Sequence, residues 1–208
     1  MILMNFYRNF ALLFFTLILN CTIYSQEISY NIFSGANLSN TKYTINNYKN
    51  NNSGAGYNAR LAFHLGLGID IPLDFTFKNK TNLSVEIQYS EQGDSFFIGS
   101  KRYLDEINQL NIPIKIKTEL LKNLNFGLGG YVGYLLNVEE YLEQDEYNYN
   151  NFDLGLAGSI EYKFLENLRV KIQFLYGLKD VLDRDFMENK IKFDRYNRVL
   201  QFGLNYKF

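Results

Sequence analysis

The feature that most constrains this chain is a strict alternation of apolar and polar residues, which recurs from residue 28 to the end. In the segment 110–117 every even position is Leu or Ile, whereas the odd positions hold Asn, Pro and Lys. In 152–164 the even positions are aromatic or aliphatic except for one glycine, and the odd positions are mostly charged or small. A period of two places each set on one face of a β-strand, because successive side chains point to opposite sides.

Eight segments of this kind can be counted, and the connections between them alternate in length. The segments are 28–39, 57–72, 82–91, 103–118, 124–138, 151–164, 168–181 and 195–208. Short connections are predicted at 73–81, 119–123 and 165–167, and longer polar loops at 40–56, 92–102, 139–150 and 182–194. Long loops at one end and short turns at the other are typical of bacterial outer-membrane barrels. We therefore predict an all-β fold, an eight-stranded antiparallel up-and-down transmembrane β-barrel.

The first 25 residues have the layout of a secretory signal peptide. Arg8 precedes the apolar stretch 10–19, and a short polar tail with small residues follows it. We predict cleavage between Ser25 and Gln26, which gives a signal peptide at 1–25 and a barrel domain at 26–208. The only cysteine, Cys21, lies in the leader, so the mature chain would have no thiol. Export through a cleaved leader agrees with the predicted location in the outer membrane.

Alternation alone does not tell a membrane barrel from a soluble ligand-binding barrel that keeps its apolar face inside. The position of the aromatic residues favours the membrane. On the apolar face, one set lies near the long-loop ends of the strands and a second set near the short-turn ends, with aliphatic residues between. The first set is Tyr57, Tyr89, Tyr134, Phe152, Tyr176 and Tyr196; the second is Tyr30, Phe126, Tyr162, Phe164, Tyr206 and Phe208. Two aromatic rings around an aliphatic band match the two interfaces of a bilayer.

The polar face carries many charged residues of both signs among glycines. If the apolar face meets lipid, these side chains fill a narrow lumen and pair with one another, since eight strands enclose little more than side chains. We predict a lumen charge network, with His64 near Arg60 and Asp70. Its members are Arg60, His64, Asp70, Glu86, Lys115, Lys117, Glu161, Arg169 and Lys171, and Asp153 and Lys163 share this face.

Several segments resemble the small outer-membrane β-barrel family often called porin-like or PorT-like. The matching stretches are 34–39, 63–67, 86–93, 112–114, 176–178 and the closing strand. The alternation of Leu204, Tyr206 and Phe208 up to the terminal residue resembles the signal by which such barrels are recognised for assembly. The resemblance implies an outer-membrane location and, as partners, membrane lipid and the barrel-assembly machinery. It implies no active site, because this family shares its architecture and not a chemistry.

Candidate catalytic and metal-binding groups are few. His64 is the only histidine, so a transition-metal site or a nucleophile–base pair is difficult to assemble. The acidic loop 139–151 does not have the spacing of a calcium loop. With 21 basic and 22 acidic residues, the chain also lacks the positive charge expected of a nucleic-acid-binding protein.

We therefore expect a non-catalytic barrel without cofactor or metal, whose role is structural or depends on a partner bound by the long loops. That partner could be an extracellular or secretion-system protein. Two alternatives remain open from the sequence, a pore for small solutes and a soluble periplasmic ligand-binding barrel.

Overall fold

The computed structural model describes residues 28–46, 58–73, 79–98, 100–139, 149–181 and 192–208. These residues form eight antiparallel strands, each hydrogen-bonded to the next, and the last pairs with the first to close the barrel. The strands are β1 (Ser29–Asn46), β2 (Asn58–Leu73), β3 (Thr81–Ile98), β4 (Lys101–Leu121), β5 (Leu124–Glu139), β6 (Phe152–Lys163), β7 (Leu168–Gly177) and β8 (Lys192–Lys207). The predicted fold class is confirmed. The predicted signal peptide at 1–25 lies outside the described residues.

No helix among the described residues is long and apolar enough to cross a bilayer.

The turns at the ends of β4 and β6 lie within the connections predicted at 119–123 and 165–167, and most of the connection predicted at 73–81 lies outside the described residues. Strands β4 and β5 are joined through Lys122 and Asn123, and Leu121 pairs with Leu124 across the turn. Asn123 has a φ of 69°, a left-handed conformation that asparagine adopts more readily than most residues. We call this end of the barrel the short-turn end and the opposite end the long-loop end.

At the long-loop end the strands are longer than predicted, and the prediction of a loop at 92–102 is wrong. Strand β3 continues to Ile98, β4 begins at Lys101, and Ile98 pairs with Lys101. Strands β1 and β8 also extend outward, as far as the pair Asn46 and Lys192. Apolar–polar alternation is lost in the extension of β3 because residues 91–95 are polar or glycine on both faces, although Asp94 keeps the inward parity of Glu86 and Gln88.

Candidate functional site

The inward and outward faces of the barrel follow the parity read from the sequence. Lys115 and Glu161 point inward and are 1% and 2% exposed, whereas Ile114 and Leu154 point outward and are 48% and 53% exposed. The apolar residues therefore form the outer surface and the charged residues form the interior. The candidate functional regions are the packed lumen and the structure above it at the long-loop end.

Two buried charge clusters occupy the short-turn half of the lumen. In the first, Glu86 accepts hydrogen bonds from Lys115 Nζ at 3.1 Å and from Lys171 Nζ at 2.8 Å. Lys171 Nζ also lies 3.9 Å from the centre of the inward-facing Phe33 ring. These contacts bring together residues of β3, β4 and β7, so the cluster spans the barrel.

The second cluster is centred on Lys117. Its Nζ lies 2.8 Å from Asp70 Oδ1 and 3.1 Å from Glu161 Oε1. Lys207 Nζ approaches the other oxygen of Asp70 at 3.7 Å. Six of the nine residues predicted for the lumen charge network therefore meet in these two clusters.

The remaining three predicted residues lie elsewhere. His64 Nδ1 is 2.7 Å from Asn37 Oδ1 and so joins a belt of amide side chains rather than an ion pair. Arg169 is half-buried near the short-turn end, where it pairs in register with Lys163. The two residues predicted near His64 bind other partners, Arg60 the glutamates Glu91 and Glu106 and Asp70 the ammonium of Lys117.

The side chain of Arg60 crosses the barrel wall. Arg60 faces inward, but its Nη2 lies 2.7 Å from Glu91 Oε1 and 2.8 Å from Glu106 Oε1, and both glutamates are on outward-facing positions. The side chain can pass between β2 and β3 because the hydrogen-bonded ladder of these strands is irregular between Ala59 and His64. Arg60 Nη1 donates to the Gln92 carbonyl at 2.8 Å, so the arginine supplies a bond where the regular ladder is interrupted.

The belt across the middle of the lumen consists of amide and hydroxyl side chains. Gln173 Nε2 donates to Gln201 Oε1 at 2.9 Å, and Gln201 Nε2 donates to Asn37 Oδ1 at 3.1 Å. Asn37 Nδ2 in turn donates to Ser90 Oγ at 3.0 Å. Lys115 Nζ donates to Gln173 Oε1, which links the belt to the first charge cluster.

Beside this belt lies a small apolar core inside the barrel. Tyr131, Ala157, Leu175 and Val199 are all buried and form one cluster. The Tyr131 hydroxyl donates to Asp153 Oδ2 at 2.7 Å. The sequence analysis assigned no role to Tyr131, although its odd position in β5 places it on the inward face.

A third charge cluster fills the long-loop end. Arg195 Nη2 lies 3.2 Å from Asp94 Oδ2 and 3.7 Å from Asp105 Oδ2, and Arg195 Nη1 donates to the Tyr149 hydroxyl at 2.8 Å. Asp94 also accepts hydrogen bonds from the amide and hydroxyl of Thr41. The prediction of a loop at 92–102 left Asp94 unassigned to the inward face, so this cluster was not predicted.

The outward aromatic residues lie in the two predicted rings. At the long-loop end, Tyr134, Phe152 and Tyr176 are exposed, Tyr196 is half-buried, and Tyr89 packs against Phe63 in a tilted contact with 5.5 Å between ring centres. At the short-turn end the exposed members are Tyr30, Phe126, Tyr162, Phe164, Tyr206 and Phe208. The assembly-signal residues Leu204, Tyr206 and Phe208 all face outward. Tyr57 lies outside the described residues.

Within the described ranges, no three histidine, cysteine, aspartate or glutamate side chains are grouped as a metal site requires. The carboxylates of the two short-turn clusters lie against lysine ammonium groups instead.

Comparison with known proteins assigns this architecture. A family model described as outer membrane protein beta-barrel domain matches residues 24–183, well over half of the chain. The chain belongs to this family. It is therefore a protein of the bacterial outer membrane, and its outward apolar face meets lipid. This location excludes the soluble periplasmic barrel.

Solved structures show the same fold at low sequence identity. The outer membrane protein OprG from Pseudomonas aeruginosa is 14% identical with a TM-score of 0.51, and the match covers 88% of this chain and 97% of that one. Neisserial surface protein A (NspA) is 10% identical with a TM-score of 0.50, covering 86% of this chain and 97% of that one. At such identities the likeness concerns the fold alone. A comparison with curated protein sequences finds no match.

Proposed function

We propose that this chain is a non-catalytic outer-membrane barrel whose lumen is closed to solutes and whose long-loop end binds an extracellular or secretion-system protein. Membrane lipid and the barrel-assembly machinery are its other partners, and nucleic acid is not one. The observation that carries the closed lumen is the burial of large inward side chains at every level. Lys115, Glu86, Gln173, Leu175 and Arg195 are each 3% exposed or less.

This filling argues against the alternative of a small-solute pore. Eight strands enclose an interior that side chains can fill completely. Here the first charge cluster, the amide belt and the cluster around Arg195 succeed one another from the short-turn end to the long-loop end. A solute would have to displace bonded groups at each level, at a cost of about 1–3 kcal/mol for each buried polar group left unpaired.

A planar-bilayer recording of the refolded barrel tests closure. We expect no stable channel current, while a large porin inserted under the same conditions provides the positive control. A stable large conductance, or swelling of liposomes in small sugars, would overturn the closed-lumen proposal and favour the pore.

The partner-binding part of the proposal rests on the β3–β4 hairpin. Ile98 is nine residues beyond Tyr89, so the hairpin rises about 30 Å along the strand from the aromatic ring. Near its tip, Phe97 is 57% exposed, and Lys101 and Arg102 are exposed as well. An exposed aromatic residue beside cations on a hydrogen-bonded hairpin suits contact with another protein, because aromatic residues and arginine are enriched at interfaces.

Cross-linking from the tip tests this part. With Cys21 replaced by serine, Phe97→Cys carries a photoactivatable group at the tip, and Leu165→Cys carries the same group in a short turn. We expect cells irradiated with the Phe97 label to yield a protein adduct that the Leu165 label does not give. Identical adducts from both positions, or none from Phe97, would contradict a partner at the long-loop end.

A further inference from the structure

Arg198 is a cation on the lipid-facing side of the barrel. Arg198 occupies an outward position of β8, where the neighbouring outward positions hold Tyr196, Leu200 and Phe202. It is not one of the charges that fill the lumen. A charged side chain on this face is costly at the middle of the bilayer and tolerated at its edge, where headgroups and water reach it.

The height of Arg198 places it at that edge. It lies eight residues before Tyr206, which belongs to the aromatic ring at the short-turn end. Eight residues span about 27 Å along a strand, or about 21 Å along the membrane normal at a tilt of about 40°. Since the apolar band of such barrels is about 25 Å tall, Arg198 lies at the interface on the long-loop side.

The guanidinium group is held in a fixed position. It lies 3.5 Å from the centre of the Tyr176 ring, and Nη1 donates to the Gly177 carbonyl at 2.7 Å and to the Asn197 carbonyl at 2.6 Å. No atom of the described residues accepts a hydrogen bond from Nε or Nη2. These two donors form one side of the guanidinium fork, which is the geometry that binds two oxygens of a phosphate.

The opposite side of the barrel differs from the surroundings of Arg198 in the charges at this height. On β3, β4 and β5 the outward positions above the aromatic ring hold carboxylates instead, namely Glu91, Glu106 and Glu139. Glu91 and Glu106 are paired with Arg60, so the attraction of an anionic headgroup to the β7–β8 side depends on the guanidinium group of Arg198 itself.

We propose that Arg198, whose guanidinium group is fixed against Tyr176, binds a phosphate group of a phosphorylated glycolipid in the outer leaflet of the outer membrane. The acyl chains of that lipid lie along the apolar surface of β7 and β8, and its phosphate receives the hydrogen bonds of Nε and Nη2. This inference concerns the lipid-facing wall, so it stands independently of the proposed closed lumen and protein partner.

Titration of the refolded full barrel in neutral detergent with lipid A that carries two phosphates tests the proposal. Dephosphorylated lipid A with the same acyl chains is the ligand control. We expect R198Q to bind the phosphorylated form about fivefold more weakly, because one basic residue near an anionic surface contributes about 1 kcal/mol and 1.4 kcal/mol is a factor of ten. K122Q, which removes an exposed cation in the β4–β5 turn, is the matched variant and should bind as the unmodified chain does.

Equal binding of the phosphorylated and dephosphorylated lipids by the unmodified barrel would overturn the proposal, and this comparison needs no variant to fold. An equal loss in K122Q and R198Q would also overturn it, since that result means attraction by net charge rather than by a site. Mobility of unheated samples on gels confirms that each variant is folded before it is titrated.

Discussion

Removing the charge of Glu86 should cost the barrel a large part of its stability. In Glu86→Gln two buried ammonium groups lose their carboxylate partner, those of Lys115 at 3.1 Å and Lys171 at 2.8 Å. At an effective dielectric constant of about 20, each attraction amounts to about 5–6 kcal/mol before the cost of desolvation is subtracted. Truncation of one partner of a buried ion pair costs about 3–5 kcal/mol, because the other charge stays buried and unpaired. We expect a loss of that size.

The assay is urea unfolding of the barrel in short-chain lipid vesicles, followed by circular dichroism and by gel mobility. Glu166→Gln, in an exposed turn, is the matched control and should change the free energy of unfolding by less than about 0.5 kcal/mol. Adding Lys171→Met to Glu86→Gln removes one of the stranded charges, so the double variant should show a coupling of about 1–3 kcal/mol. A loss below about 1 kcal/mol in Glu86→Gln would refute the assignment of this cluster as a buried, mutually compensating set.

Three further results are expected. Gly129→Ala should prevent folding, because a Cβ there would lie 1.9 Å from the Ile114 carbonyl oxygen. Gly158→Ala should fold, because the nearest atom to its Cβ is 4.0 Å away. Equal gel mobility shifts in the two variants would contradict this prediction. Arg60→Ala should lower the free energy of unfolding by about 1–3 kcal/mol, since it leaves a backbone carbonyl and two carboxylates without their donor. An unchanged urea midpoint would show that the contacts of Arg60 contribute nothing to the stability of the barrel. Phe208→Ser should reduce the fraction of protein assembled in cells several-fold. It should change the free energy of unfolding of the refolded protein by less than about 1 kcal/mol, since Phe208 is 73% exposed. Normal assembly in cells would show that Phe208 is not part of the assembly signal.

The sequence predicts the strands and their orientation because both follow from one local rule. Whether a residue has an odd or an even position in a strand decides which face of the sheet its side chain lies on. The outward position of Leu154 and the inward position of Lys115 could therefore be predicted without knowledge of any contact. The residues that pair across the lumen cannot be predicted in this way. Glu86 meets Lys171 from a strand 85 residues away, and that contact depends on register and barrel closure.

Three features were not predicted, each for an identifiable reason. Residues 91–95 of β3 are polar or glycine on both faces, so the extended hairpin looked like a polar loop, and Asp94 was not recognised as an inward residue although it keeps the parity of Glu86 and Gln88. The amide belt was missed because Gln173 and Gln201 are common surface residues whose sequence pattern gives no special signal. Arg60 was correctly assigned to the inward face, but its path through the wall depends on a ladder irregularity that composition does not predict.

The most direct test of the account is a scan of lipid accessibility along β6. With Cys21 replaced, single cysteines from 152 to 162 carry a nitroxide, and collisions with a lipid-soluble relaxation agent are measured in the reconstituted bilayer. We predict a period of two, with maxima at Phe152, Leu154, Leu156, Ile160 and Tyr162. Maxima at Asp153, Ala157 and Glu161, or an accessibility without a period of two, would contradict the outward placement of the apolar face.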